Sequence, residues 1–469
     1  MPRTPSGVHA VSVRCLHSLG EMAALRPRIN ALNMVSARPD PFSTFEFYDN
    51  LLRRSGSLTG GERARVWFLA AFTDGELIGY LALEEVAERV LWRRIRRLGF
   101  LVAHSADRPH VVARPEHVGV VTEMFYEYLQ KRRRDWELLE LQQQDAASTL
   151  QPPSFRLDFK RCWVRFWPNL DNGTIPVRWK TLQEYGDALA SKFRSNLRRQ
   201  FRKLFTGGEI GLLTSSDPAS TPALLDLYCG IEKRSWKSST DLTIGGDAQR
   251  LQYVRGLLDA QQPMRIVIQI LVLDGAPVAG LISGAFAGPA DKGLYALHIV
   301  FDAALSSAAP GSAILMMGMR HAIAGRYAFF NLLSGFGYYK TRWLAEMTPT
   351  RCVQIYRIGG PCFWRRLLGD ARRWVAAHAR LPSTRIAAGS TEIGEQDAAP
   401  RGRALAPRVT AAERANFAAL IAEAREGDCE WLANEQLAAA MPFVIDLPAG
   451  ANRQPDSYAA ISARPATAT

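Results

Sequence analysis

Two phenols and an amine stand in succession at Tyr338-Tyr339-Lys340, behind a glycine-punctuated apolar run. Ala328 to Leu333 predicts a buried strand, and Gly335 and Gly337 deliver the three polar side chains to its end. A phenol there can hand a proton to a departing group, and an ammonium can stabilise an oxyanion or a phosphate. A salt-bridged Lys340 would serve structure instead. His298, on the strand predicted from Leu294, is a second candidate base; a lone histidine on an apolar strand also serves as core. Between them the small residues Ser306 to Ser312 open a helix carrying Ile314, Leu315 and Met319. At Ala309, Pro310, Gly311 and Ser312 the free N–H groups and positive dipole end favour a phosphate, and small side chains let a pyrophosphate approach. Ordinary helix capping uses the same Pro-Gly.

The elements that must position these residues can be taken in chain order. Leu19 to Arg38 predicts one helix, and Asp40-Pro41-Phe42 starts a second. A hairpin is expected at Val66 to Leu83 around Asp74-Gly75, followed by a basic cluster at Arg93 to Arg97, a helix at Glu116 to Arg134 and a strand at Trp136 to Leu141. Gln151-Pro152-Pro153 marks a break. Past it, Trp163 to Trp167 is strand-like, and a helix follows with Phe193, Leu197, Phe201 and Leu204 on its apolar face. Its other face carries Arg194, Arg198 and Arg202, a stripe suited to RNA or an anionic membrane surface, or else a solvated face. Pro222 to Trp236 predicts a helix, and Ile266 to Ser283 a hairpin turning at Asp274-Gly275. Trp364 to Leu381 is a basic helix, residues 382–407 a linker, Ala411 to Met441 one or two helices, and residues 448–469 a loose tail.

Composition narrows the function class. The chain is 47% hydrophobic and 22% charged, which suits a globular protein with a sizeable core. Its formal net charge of +13 favours a polyanionic partner. The six cysteines lie far apart without CxxC spacing or nearby histidines, so neither a disulfide framework nor a metal site is expected. The apolar stretch Met264 to Ala287 holds Arg265, Gln269, Asp274 and Pro277, which argues for two strands rather than a membrane span. The expected location is the cytoplasm, with room for a peripheral contact at the inner membrane. No GxSxG, HExxH, Walker A or GxGxxG context is present, which argues against the corresponding hydrolase, protease, NTPase and dinucleotide chemistries.

Phe301-Asp302, Pro310-Gly311, Gly325, Phe329 to Leu333, Gly335, Tyr339-Lys340 and Trp343 form an ordered set that resembles the CelD-like acetyltransferases of bacterial exopolysaccharide clusters, in the GNAT superfamily. Two positions depart from that pattern: Asn331 replaces an aspartate on the last strand, and Gly337 an acidic residue. Both put a local carboxylate base in doubt. The resemblance implies an α/β fold of two GNAT-like mixed-sheet halves, a degenerate one over 1–160 and the acyltransferase over 161–360, with a helical extension over 361–469. It implies acetyl-CoA or another acyl-CoA as co-substrate, held along the core strand. It implies acceptor contacts at Arg234, Trp236 and Trp343 and places the Tyr339-Lys340 pair at the chemistry, to which the residue types add Tyr338 and His298 as candidates. The acceptor would be a glycan or sugar precursor. A FemXAB-like transferase using aminoacyl-tRNA, and a catalytically silent adaptor of a polysaccharide synthase, are the alternatives.

Overall fold

A computed structural model describes residues 11–54, 62–90, 92–103, 106–151, 161–240, 243–259, 261–335, 337–378 and 409–443. In chain order the strands are β1 (Ser12–Leu16), β2 (Glu62–Thr73), β3 (Glu76–Val90), β4 (Arg93–Phe100), β5 (Val112–Ala113), β6 (Leu138–Gln144), β7 (Cys162–Pro168), β8 (Asn172–Pro176), β9 (Ile210–Ser215), β10 (Arg265–Leu273), β11 (Ala276–Ala287), β12 (Lys292–Phe301), β13 (Phe329–Ser334), β14 (Glu346–Thr348), β15 (Arg351–Arg357) and β16 (Glu430–Leu432). The helices are α1 (Leu19–Ala23), α2 (Arg26–Met34), α3 (Phe45–Arg54), α4 (Val118–Lys131), α5 (Leu182–Ala188), α6 (Ser191–Phe205), α7 (Thr221–Glu232), α8 (Ala248–Leu257), α9 (Pro310–Ala324), α10 (Gly337–Arg342), α11 (Pro361–His378), α12 (Ala411–Glu426) and α13 (Asn434–Ala439).

The strands form two mixed sheets, the α/β architecture expected of two GNAT-like halves. One runs β1-β2-β3-β4-β6-β15-β7 with β5 on β3, the other β14-β8-β13-β12-β11-β10-β9-β16. Each is built on a long hairpin closed by Asp-Gly. Asp74 and Gly75 have φ of 48° and 79°, and Asp274 and Gly275 have 48° and 73°. That is the turn geometry whose twist matches paired strands, which is why both hairpins were readable from two residues. Strand β11 is buried along nearly its whole length because it is covered on both faces. Ile282 joins one core cluster with α3, α7 and α8, while Leu281 joins the other with α6 and α9. Each fully buried side chain of this kind contributes roughly 1.5–3 kcal/mol.

The two halves share a core. Phe47 of α3 packs edge-on against Tyr253 of α8, and Asn50 Nδ2 donates to Tyr253 O at 3.0 Å. The sheets also divide the chain differently from the expected boundaries: β7 and β15, from beyond residue 160, both belong to the first sheet. The extension is likewise more than helix, since β16 pairs with β9 and Trp431 lies over Gly211, where an added Cβ would meet its ring at 2.0 Å.

Three further local expectations change. The single helix over Leu19 to Arg38 is two, α1 starting from a Ser18–Glu21 capping box and α2 restarting with proline in its first turn. The basic cluster Arg93 to Arg97 is strand β4, in which Arg97 is neutralised by Glu88 at 3.5 Å and Glu140 at 3.2 Å. Tyr339 and Lys340 lie on the short helix α10, not at a strand end. The expected linker over 382–407 and tail over 448–469 fall outside the described residues.

Candidate active site

Strands β12 and β13 run parallel but pair over three residues only, Gly293–Tyr295 with Phe329–Asn331. Beyond that point β12 continues to Phe301 on β11 alone, with Leu297 bulged out of register. The result is a wedge whose apex is the pair Tyr295 and Asn331. Among the described residues, the backbone groups of β12 after Tyr295 have no strand partner on the β13 side.

At the apex the other half of the molecule arrives. Asn331 Nδ2 donates to Asp107 Oδ2 at 2.9 Å, and Asn172 Nδ2 donates to Asp107 Oδ1. Arg108 holds the same carboxylate through Nε and Nη2, each at 3.1 Å, and donates through Nη1 to Asp145 Oδ2 at 3.2 Å. Arg38 reaches Asp145 Oδ2 at 3.0 Å, the Arg108 carbonyl, and His110 Nδ1 at 2.9 Å. Burial and these two guanidinium groups hold His110 well below the usual histidine range, so it is neutral. Burial also pushes Asp40, 3.5 Å from His110, up to about 6. Arg38, Asp40, Asp107 and Arg108 line a cavity of about 480 Å³ with Tyr295 and Asn331 from the wedge.

The carboxamide of Asn331 has a second task. Its Oδ1 accepts from Leu333 N at 2.7 Å, which holds Leu333 in the left-handed region at φ 56°. That kink turns the Leu333 carbonyl toward Lys340, whose Nζ donates to it at 2.6 Å. Lys340 is 1% exposed and lies along Gly173, where an added Cβ would sit 2.7 Å from its Cδ. Burial lowers its amine to about 8, against the opposing pull of Asp107 and Asp171. A relay therefore runs from Lys340 through Leu333 and Asn331 to Asp107. Tyr339 is beside it, with its ring 6.0 Å from Nζ and its hydroxyl pushed up by burial. The side chain of Tyr338 lies outside the described residues. His298 is on β12 opposite Ile282, past the wedge apex and half-buried.

The family resemblance implies that the amide-bearing arm of a coenzyme A thioester lies along the β12 edge of the wedge. Its pyrophosphate end is less complete than the sequence suggested. Ala309 turns the chain into α9 at φ 50°, but its own N–H donates to Ser306 O, and the N–H groups of Ser312 and Ala313 both donate to Ala309 O. Pro310 has no N–H, so the Gly311 amide and the dipole of a 15-residue helix are what remain for an anion. Gly311 is small for a packing reason as well, because an added Cβ would meet Phe301 at 2.6 Å. One carbonyl of the β12 edge is already used: Lys237 Nζ donates to Ile299 O at 2.7 Å. Burial lowers this amine too, against the pull of Glu232.

Of the expected acceptor contacts, Arg234 is committed within the fold. It donates to Asp302 Oδ2 at 2.8 Å, to Gly230 O and to Pro277 O, which ties α7 to the start of the loop before α9. Trp343 is buried edge-on against Phe193. Trp236 is 52% exposed, next to Lys237. In the basic helix α6, Arg194 bonds to Asp187 and the Arg198 guanidinium lies 5.9 Å from the Phe443 ring centroid, so two of the three arginines are engaged within the chain. Sequence reasoning missed Asp107, Arg108, Arg38 and Lys237. The signal for the first two was the polar group Asp107-Arg108 and His110 standing between the apolar pairs Leu101-Val102 and Val111-Val112.

Residues 191–341 match the family model of the acetyltransferase (GNAT) domain. This stretch carries acyltransferase chemistry. It spans α6 to α10 and so contains the wedge, the α9 loop and Lys340, while Asp107 and its arginines lie outside it. No curated protein matches the sequence. Among solved structures, FemX is similar at 12% identity and a TM-score of 0.48, over 76% of this chain and 99% of that one. A tandem GNAT protein from the clavulanic acid biosynthesis pathway is similar at 11% identity and a TM-score of 0.43, over 75% and 99%. The C-terminal domain of a putative lysylphosphatidylglycerol synthetase from Agrobacterium fabrum gives 13% and 0.42, over 76% and 96%.

Proposed function

We propose that the protein transfers an acyl group, in the first instance acetyl, from coenzyme A to an amine or hydroxyl of a sugar-containing acceptor. The observation that carries this reading is the coincidence of two features at one residue pair. Tyr295 and Asn331 are both the apex of the strand wedge and part of the wall of the inter-half cavity. A thioester entering along β12 and an acceptor in the cavity would meet there, which converts a bimolecular reaction into an oriented one. The cavity mixes aromatic faces, Phe286, Tyr295 and Phe329, with carboxylates and guanidinium groups. That combination suits a sugar, whose C–H faces pack on rings and whose hydroxyls need donors and acceptors.

In this scheme Lys340 acts as the cation. Its ammonium, held next to the end of β13, stabilises negative charge on the thioester oxygen or the departing sulfur; Tyr339 supplies a proton to the thiolate and regains one from solvent, while the proton lost by the attacking amine or hydroxyl passes to water. Asp107 orients the acceptor and, through Asn331, the β13 kink that presents the Leu333 carbonyl to Lys340. The test is calorimetric titration with acetyl-CoA, followed by thiol release with amino-sugar and sugar acceptors in turn. Binding with acceptor-dependent thiol release supports the reading. Absence of acetyl-CoA binding removes it.

A further inference from the structure

Helix α11 presents its apolar stripe to solvent. Trp364, Leu367, Leu368, Ala371 and Trp374 recur at helical spacing on one face, and all five are exposed, Trp364 at 50%, Leu368 at 57% and Trp374 at 64%. The helix is anchored beside and behind this stripe: Cys362 is buried, Phe363 at the stripe's edge packs edge-on against Trp163, and the Arg366 guanidinium lies 4.9 Å from the Trp167 ring centroid. Trp167 is itself half-exposed on β7, the edge strand of the first sheet. A helix held by its polar and cysteine-bearing side, with its tryptophans and leucines outward, is the reverse of a core-facing surface helix.

The charge around the stripe identifies what covers it. Within α11, Arg365, Arg366, Arg372 and Arg373 stand against a single carboxylate, Asp370, which already pairs with Arg165, Arg366 and Arg373, while Glu88 of β3 shares a cavity with Arg365, Arg366 and Arg373. Arg365 and Arg372 are exposed and flank the stripe on the same side. A second copy of this face would set arginine against arginine, so self-association is disfavoured. Tryptophan and leucine at the level of arginine are what a lipid headgroup region accepts, rings at the interface and guanidinium groups on phosphates. No helix among the described residues is long and apolar enough to cross a membrane, so α11 would lie in the plane of the surface.

We propose that α11 docks the protein on an anionic phospholipid bilayer through Trp364, Leu367, Leu368 and Trp374, with Arg365 and Arg372 on lipid phosphates. The acyl-transfer reading is not required for this, and the site of that reading is not altered by the variants below. The test is co-sedimentation of the full chain with vesicles of phosphatidylcholine alone and of phosphatidylcholine mixed with phosphatidylglycerol, with tryptophan emission recorded in parallel. Wild type should pellet with the mixed vesicles and show blue-shifted emission. Arg365→Gln with Arg372→Gln should bind about thirty-fold more weakly, and Trp364→Ser with Leu368→Ser should stay in the supernatant while keeping the wild-type melting temperature. Three results overturn the proposal: wild type that ignores mixed vesicles, a serine variant that binds as wild type does, or a concentration-dependent dimer that the serine variant abolishes.

Discussion

Asn331 and Asp107, 224 positions apart in the chain, are joined by one hydrogen bond of 2.9 Å, with the carboxamide donating and the carboxylate accepting. This pair bears on one departure from the CelD-like pattern that the sequence resembles. Asp107 places a carboxylate within hydrogen-bond reach of position 331, and an aspartate at 331 would set two carboxylates against each other in a buried site. Asparagine is the residue that can donate to Asp107 and still accept from Leu333 N.

Asn331→Asp should therefore destabilise the fold by about 3 kcal/mol near neutral pH. The new carboxyl would have a raised folded-state pKa, so the folded protein would bind more protons than the unfolded chain above the usual carboxylate range. Stability should then fall as pH rises from about 4 toward the raised value. Adding Asp107→Asn should restore part of the loss, because the donor and acceptor exchange places. Denaturant melts of the two single variants and the double variant check this, and additive losses would separate the two residues.

Gly311→Ala should lower stability by about 1–3 kcal/mol before any effect on donor binding, since the new methyl would sit 2.6 Å from the Phe301 ring. Phe301→Leu in the same chain should recover the stability. If it does, donor titration of the double variant reports the Gly311 amide without the packing defect.

Arg234 and Trp236 should separate cleanly. Arg234→Ala leaves Asp302, which is 1% exposed, without its partner and should cost about 3–5 kcal/mol. Trp236→Ala removes an exposed ring and should leave thermal stability nearly unchanged. A rise in the acceptor Michaelis constant in the Trp236 variant, with turnover held, would assign the ring to acceptor binding.

How legible all this was from sequence depended on the range of the contact. The two Asp-Gly hairpins, the helix opened by Pro310 and the strand ending near Leu333 are set by neighbours in the chain, and the residue types announce them. The site's second wall is not local. Asp107 sits in a short loop with no periodicity, and its meaning appears only when β13 reaches it across the sheets. Position 297 hid the bulge and position 333 the kink, because Leu is the residue least suggestive of either. Arg93 to Arg97 misled for a related reason, since the acids that neutralise Arg97 come from β3 and β6.

The lowered amine of Lys340 gives a pH dependence with a definite sign. In the proposed scheme the cation is the working form, so turnover should be level below about 8 and fall as pH rises through it. Lys340→Arg keeps the charge at all accessible pH and should abolish that alkaline limb even if its level is lower. A limb that rises through the same range would make the neutral amine a base instead.

The decisive comparison is of wild type with Lys340→Met, by calorimetry with acetyl-CoA and by thiol release with a reactive sugar acceptor. Nearly equal donor affinity and a turnover about a hundredfold lower in the variant are expected. A folded Lys340→Met protein that releases thiol at the wild-type rate, or a wild type that takes up no acetyl-CoA, would contradict the proposed scheme.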